Sequence, residues 1–393
     1  MLLAGDGQLD KQYNAVRGVL SADISGKIHM ILRIHLVLPL ILLFFLIAFR
    51  PVPAQRHVRW LEEIQQAPRE IPGEQLRFPS VRQANIDVVV ESRREWERAR
   101  HNVRDRWLKE LGPVASRRRP LPKLEVLDTE QLPEGITRQR VKYEALPGEF
   151  VEAYIVRPTR LRGLVPGVVV LHSTVNHSIR QPAGLEGSAE KAFGLGVARR
   201  GMVAFCPRNY LWPNNDMIQA QQQADHFLEA YPDSLGMARM LYDSLLAVDL
   251  LLSQPHVDPN RIGSVGHSLG AKEVIYLAAF DQRVRATVSS EGGISKTFSN
   301  WDAPWYLGSQ MHDFPHDHNE LLGLVAPRAF LLIGGDSADG AVSWPLVEDA
   351  LTIYRLYRRR PPLGLYNHGQ GHAVPPEAEA RIYEWLQVEL GWH

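Results

Sequence analysis

Residues 261–280 read RIGSVGHSLGAKEVIYLAAF. Arg261–Val265 is a short apolar run of the kind that forms a buried strand, and Ala271–Phe280 reads as a helix. Between them stands Gly266-His267-Ser268-Leu269-Gly270, a G-x-S-x-G pentapeptide. The string by itself is weak, because short patterns arise by chance. A strand before it and a helix after it supply the context in which it has mechanical meaning. Glycine is needed where so sharp a turn brings backbone against backbone. The turn lifts the Ser268 hydroxyl off the sheet and points the Leu269 N–H into the same space. The competing reading is a glycine-rich βα turn or nucleotide loop, but Gly263, Gly266 and Gly270 do not have the G-x-G-x-x-G spacing. Ser268 is the candidate nucleophile.

Outward from this turn, β-like and helix-like runs alternate from Gly135 onward. Strands are expected at 137–143, 151–156, 167–172, 202–206, 261–265, 286–289, 329–333 and 363–366. Helices are expected at 189–199, 237–252, 271–280, 344–357 and 376–390. Continuous apolar runs such as VVVL and AFLLI suit a parallel sheet covered on both faces, so the fold class is α/β. Function in such folds gathers at the carboxyl ends of the strands.

A serine hydroxyl needs a base, usually a histidine held in one tautomer by an acid, and one recurring chain order is serine, acid, histidine. Asn367-His368-Gly369-Gln370-Gly371-His372 follows the last expected strand. His372, in a flexible Gly-His context ahead of two prolines, is preferred to His368. After 329–333 comes Gly334-Gly335-Asp336-Ser337-Ala338-Asp339, which offers two carboxylates. Asp339 is the first choice of acid and Asp336 the second, the spare one capping the helix that follows. Glu291, one strand earlier, is the third candidate. The oxyanion hole needs a second N–H besides that of Leu269. The run His172-Ser173-Thr174-Val175 after the strand at 167–172 supplies it, with Thr174 preferred.

GHSLG, Asp249-Leu250-Leu251, Val257-Asp258-Pro259-Asn260-Arg261-Ile262-Gly263, Ala279-Phe280-Asp281-Gln282-Arg283-Val284, Ala326-Pro327-Arg328 and Gly371-His372 together resemble one family group. It is the dienelactone hydrolase and acetyl-xylan-esterase-like branch of the α/β-hydrolases. The resemblance covers about Lys142 to Leu390. Asn300-Trp301-Asp302-Ala303-Pro304-Trp305 and His318-Asn319-Glu320-Leu321-Leu322 add a likeness to glucuronoyl-esterase-like relatives. It implies an α/β-hydrolase fold, with a mostly parallel central sheet and helices on both faces, and ester hydrolysis. In part of the glucuronoyl-esterase-like group the acid is a glutamate after the preceding strand, which keeps Glu291 in play. Ser173 departs from the pattern, standing where glycine is common, and leaves the oxyanion donor open.

His312, Asp313, His316, Asp317, His318 and Glu320 are dense, but their spacing matches no standard zinc motif, so a hydrogen-bonded pocket rim is expected and no metal. Trp301 and Trp305 are candidate sugar-stacking residues, lid packing being the competing reading. No organic cofactor is called for.

Over the 393 residues, Lys+Arg and Asp+Glu are both 44, which gives no basic excess for nucleic acid. The single cysteine, Cys206, excludes an internal disulfide. Leu36–Phe49 is fourteen residues without a charge, interrupted by Pro39 and preceded by Lys27, Arg33 and His35. That is short for a spanning helix. With Val52-Pro53-Ala54 after it, it reads as a secretory signal cleaved after Ala54, with an N-terminal membrane anchor as the alternative. The expected organisation is residues 1–54 as export segment, 55–134 as helical extension and linker, and 135–393 as catalytic domain. Within the extension, Trp96, Val103, Trp107 and Leu111 recur at helical spacing over 92–111. The expected protein is an exported serine ester hydrolase acting on a small-molecule or carbohydrate ester. A prolyl-oligopeptidase-type peptidase and a catalytically silent binding protein are the competing readings.

Overall fold

The computed structural model describes residues 57–73, 76–83, 89–213 and 217–392. The expected export segment lies outside them. Among the described residues no helix is long and apolar enough to cross a membrane.

Nine strands form one sheet: β1 (Glu125–Leu132), β2 (Ile136–Leu146), β3 (Glu149–Pro158), β4 (Val165–Leu171), β5 (Val203–Pro207), β6 (Val257–His267), β7 (Val284–Ser290), β8 (Ala329–Gly334) and β9 (Leu363–Asn367). Their order is β1-β2-β3-β5-β4-β6-β7-β8-β9. From β5 to β9 every neighbouring pair is parallel, while β1, β2 and β3 form an antiparallel flank joined to β5 by β3. The continuous apolar strands take the covered positions: every residue of β4, β5 and β8 is buried.

Alternation of side chains sorts that sheet between two cores. Val169 and Leu171 of β4 face the helices α1 (Arg93–Leu111), α4 (Gly236–Leu252), α5 (Leu269–Phe280), α6 (Asn319–Val325) and α7 (Trp344–Tyr354). Val168 and Val170 face α2 (Phe193–Arg199) and α8 (Pro376–Glu389). A further helix, α3 (Ala220–Ala230), lies beyond β5 in the chain. This is the α/β-hydrolase architecture that the motifs imply.

The described residues from 57 to 392 belong to one compact unit. β1 lies inside the stretch 55–134 and pairs with β2 from Glu125–Lys142 to Leu132–Ile136. It is exposed along almost its whole length and carries Glu125, Asp128 and Glu130, so it has no apolar alternation to betray it. Charges on an outermost strand also discourage pairing with another chain. The extension helix α1 starts at a capping box between Ser92 and Glu95 and buries Trp96, Val103, Trp107 and Leu111, the stripe its spacing predicts. Its Trp107 Nε1 donates to the buried Glu320 (2.8 Å), which ties the extension to α6. The helices α3 and α6 were not expected, and the helix expected at 189–199 begins as a 3₁₀ turn at Ala189–Lys191.

Candidate active site

β6 ends at His267 and α5 begins at Leu269, so one residue makes the whole turn. That residue, Ser268, has φ 59° and ψ −115°. A non-glycine residue held at positive φ is a local strain that only a well-braced site sustains. The brace is visible. Ser268 N–H donates to Ser290 O (2.9 Å) at the end of β7. A β-carbon on Gly266 would collide with the Gly270 carbonyl, and one on Gly270 with the Leu171 carbonyl at the end of β4. The two glycines are therefore what lets the turn close against β4. As the first residue of α5, Leu269 has an N–H that no carbonyl within the helix can accept.

His372 lies between β9 and α8, its side chain 42% exposed. Its ring centroid is 4.6 Å from that of His267, the neighbour of Ser268. Lys191 Nζ holds its carbonyl oxygen at 3.3 Å. His372 Nδ1 is 3.1 Å from Glu291 Oε2. A carboxylate only accepts, so Nδ1 carries the proton and Nε2 is left free as a base. His368, the competitor, folds its Nδ1 back to accept from Gln370 N–H (3.1 Å).

The carboxylate on His372 is thus Glu291 rather than Asp339 or Asp336. Glu291 directly follows β7, has φ 55° and is buried. It accepts from the N–H groups of Gly335, Ala338 (2.8 Å) and Asp339 (3.4 Å). Asp339 is fully buried and accepts from Gly293 N–H (2.7 Å), Ile294 N–H (2.8 Å) and Ser343 Oγ (2.8 Å). Burial raises its pKa above the ordinary value, and those three bonds oppose the shift. Asp336 accepts from Asn367 Nδ2 (2.8 Å) and Ala341 N–H (3.3 Å), holding the turn before α7. Both aspartates are occupied with backbone, and neither reaches the imidazole.

In the loop after β4, Ser173 N–H donates to Gln181 Oε1 (3.1 Å) and Val175 N–H to Ser173 O (2.9 Å). Thr174 N–H is the one of the three with no acceptor among the described residues. His172 fixes this loop. Its Nε2 accepts from Asn209 N–H (3.1 Å), so Nδ1 is the protonated nitrogen and donates to Ser173 O (2.8 Å). Burial pushes the imidazole down to about 4, which keeps it neutral.

Trp301 departs from its expected role. It is fully buried, its Nε1 donates to Gly293 O (2.8 Å), and its faces meet His318, Tyr306 and Tyr276. No face remains for a sugar ring. Trp305 is half-buried, its backbone packed where a β-carbon on Gly236 would lie. Within the His/Asp cluster, His316 pairs with Glu320 (2.9 Å), His318 bonds Tyr276 (2.9 Å) and Asp317 accepts from Ser295 (2.7 Å), while His312 and Asp313 are exposed. Among the described residues no three His, Cys, Asp or Glu side chains are grouped to hold a metal ion.

Two buried charged residues escaped the reading of the sequence. Lys272 donates to Ser299 Oγ (2.6 Å) and lies 4.0 Å from the Trp301 ring centre. Burial pulls its pKa down to about 7. Burial also lifts Glu273, which lies against the Asn209 side chain, to about 8. The signal was available: both interrupt the otherwise apolar helix that starts after Ser268.

A serine on a strained strand-to-helix turn, with a carboxylate-bound histidine at a neighbouring strand end, defines the α/β-hydrolases. Residues 151–304 match the model of the dienelactone hydrolase family, and the chain is a carboxylic ester hydrolase. The chain is 25% identical over 307 residues to YtaP of Bacillus subtilis (strain 168), described as a hydrolase, covering 70% of this chain and 96% of that one. It is 28% identical over 156 residues to 4-O-methyl-glucuronoyl methylesterase 1 of Sodiomyces alcalophilus, covering 30% of this chain and 32% of that protein. In three dimensions it is similar to a glucuronoyl esterase from Solibacter usitatus, with a TM-score of 0.62 at 14% identity over 81% of this chain and 99% of the other.

Proposed function

We propose that the protein hydrolyses carboxylic esters carried by carbohydrates, through Ser268, His372 and Glu291. The observation that carries the reading is the 3.1 Å contact between His372 Nδ1 and a buried glutamate at the strand end next to the elbow. Ser268 Oγ attacks the ester carbonyl while His372 Nε2 takes its proton, and the imidazolium is held by Glu291. The tetrahedral oxyanion is met by the Leu269 and Thr174 N–H groups, which have no acceptor among the described residues. Collapse expels the alcohol, protonated by His372, and leaves an acyl-enzyme. Water, deprotonated by the same nitrogen, attacks the acyl carbon and releases the acid. The carbohydrate part rests on the glucuronoyl esters named for the similar proteins.

A panel of acetylated sugars, glucuronoylated sugars, simple aryl esters and prolyl peptides tests this, together with fluorophosphonate labelling at Ser268. Turnover of sugar esters above aryl esters is the expected outcome. Cleavage of peptides alone would favour the peptidase, and absence of labelling the silent protein.

Export belongs to the same proposal. The apolar run Leu36–Phe49 and Val52-Pro53-Ala54 support a mature chain starting at Gln55. N-terminal sequencing of exported material tests it, and a product that keeps Leu36–Phe49 means an anchor instead.

A further inference from the structure

A cavity of about 590 Å³ opens beside the carboxyl end of β5, a size in the range of small-ligand sites. β5 lies next to β4, so this cavity is on the same edge of the sheet as Ser268. One wall is the run Arg208-Asn209-Tyr210 that follows β5; the facing wall is the start of β3. The wall is one side chain away from the oxyanion loop. Asn209 N–H donates to His172 Nε2, and His172 Nδ1 donates to Ser173 O.

The two guanidiniums of the cavity are already matched, and Lys142, its remaining strong cation, lies over the Phe150 ring at 4.7 Å. Arg208 meets Glu152 (3.2 Å), and Arg239 meets Asp243 (2.8 Å) and Glu149. An anion seated on either guanidinium would have to displace its carboxylate, at a high desolvation cost. A neutral molecule with many hydroxyls meets no such barrier, and finds acceptors in Glu149 and Glu152 and donors and acceptors in Gln223 and His226 of α3. The lining also carries Phe150, 54% exposed, with the Lys142 ammonium over one face of its ring and the rest of the ring in water. Rings of this kind pack against the C–H face of a sugar, while polar groups meet its rim.

We propose that this cavity is a subsite for a neutral glycosyl residue of the substrate, lying beyond the sugar that bears the ester. The proposal rests on the carbohydrate-ester reading. It adds a site at β3 and β5 that the triad does not use.

The test has a kinetic and a binding arm. In the first, kcat/KM is measured for an esterified oligosaccharide and for 4-nitrophenyl acetate. Phe150→Ala and Gln223→Ala should each lower the ratio of the two at least tenfold, mainly through KM for the oligosaccharide. Both residues are at the surface, so folding is not at issue, and circular dichroism checks it. In the second arm, the full chain carrying Ser268→Ala is titrated calorimetrically with neutral xylo-, manno- and cello-oligosaccharides. One series should bind, and adding Phe150→Ala should weaken it about tenfold. A ratio within twofold of wild type, or no binding by any series, overturns the subsite. Binding confined to uronate-bearing oligosaccharides and abolished by salt overturns it too, since the site would then be anionic. If 4-nitrophenyl acetate is cleaved but no sugar ester is, the functional reading fails, and the calorimetric arm alone decides the cavity.

Discussion

Glu291 and Asp339 hold each other's loops. The Glu291 carboxylate, at the end of β7, takes N–H groups from Gly335, Ala338 and Asp339 after β8. The Asp339 carboxylate in return takes those of Gly293 and Ile294, just after Glu291. The exchange fastens two strand-end loops together with charge-assisted bonds. It also leaves one Glu291 oxygen facing His372. Asp339 is held away from the imidazole by the Gly293 and Ile294 amides and by Ser343 Oγ.

From this follows a split between the two acids. Glu291→Gln should fold and lose about 10⁴ in kcat, the size of effect seen when a triad acid can no longer fix the histidine tautomer. Asp339→Asn should keep most of its turnover and lose roughly 1–3 kcal/mol of stability, as for a disrupted buried hydrogen-bonded carboxylate. Kinetics beside urea melts on both proteins check it; collapse of kcat in Asp339→Asn alone would reverse the assignment.

Ser268 and His372 act as one unit in the proposed chemistry. Either alanine variant should lower kcat by roughly 10⁴–10⁶, and the double variant should be little worse than either single one. Steady-state rates of the three proteins, with background hydrolysis subtracted, decide this. Additive losses would separate the two residues.

Gly270→Ala places a β-carbon against the Leu171 carbonyl, at the point where the elbow meets β4. Relief requires α5 and β4 to move apart, which also separates the Leu269 and Thr174 amides. Overpacking of this sort costs about 1–3 kcal/mol or more. The variant should melt lower and lose at least tenfold in kcat, whereas Gly391→Ala, with open space around the added carbon, should keep its kcat. Thermal melts and kcat of both variants test it.

The pH dependence of stability has a sign that Glu273 sets. With its pKa raised to about 8, the folded protein keeps a proton between about pH 4.5 and 8 that the unfolded chain has released. Stability therefore falls as pH rises through that window. Asp243, lifted to about 6 by burial, adds to the lower part of it. Lys272 acts oppositely: with its pKa at about 7, stability rises with pH from there towards the ordinary lysine value. Glu273→Gln should remove much of the loss between pH 5 and pH 8, a change on the order of a few kcal/mol. Urea midpoints of both proteins at the two pH values measure it, and parallel curves would mean that Glu273 is charged in the fold.

What could be read without a structure was whatever rests on local pattern. Apolar runs marked β4 and β8, the stripe of Trp96, Val103, Trp107 and Leu111 marked α1, and the strand-turn-helix around Ser268 marked the elbow. Burial and periodicity act over a few residues, so a sequence records them directly. β1 was invisible for the same reason, since it buries nothing and exists only by pairing with β2.

Which carboxylate meets His372 was decided by the tertiary structure alone. Glu291, Asp336 and Asp339 all stand at strand ends and carry the same chemical group. What separates them is which donors fall within about 3 Å of each carboxylate, His372 Nδ1 at Glu291, the Gly293 and Ile294 amides at Asp339 and the Asn367 side chain at Asp336, and that depends on how the loops after β7, β8 and β9 dock. Trp301 makes the same point. Its residue type suits a sugar platform, but helix α5 and the loop around His318 close over both of its faces. Ser268 could be found from its neighbours in the chain, because its role is written in the turn that carries it. Glu291 could be found only from its neighbours in space.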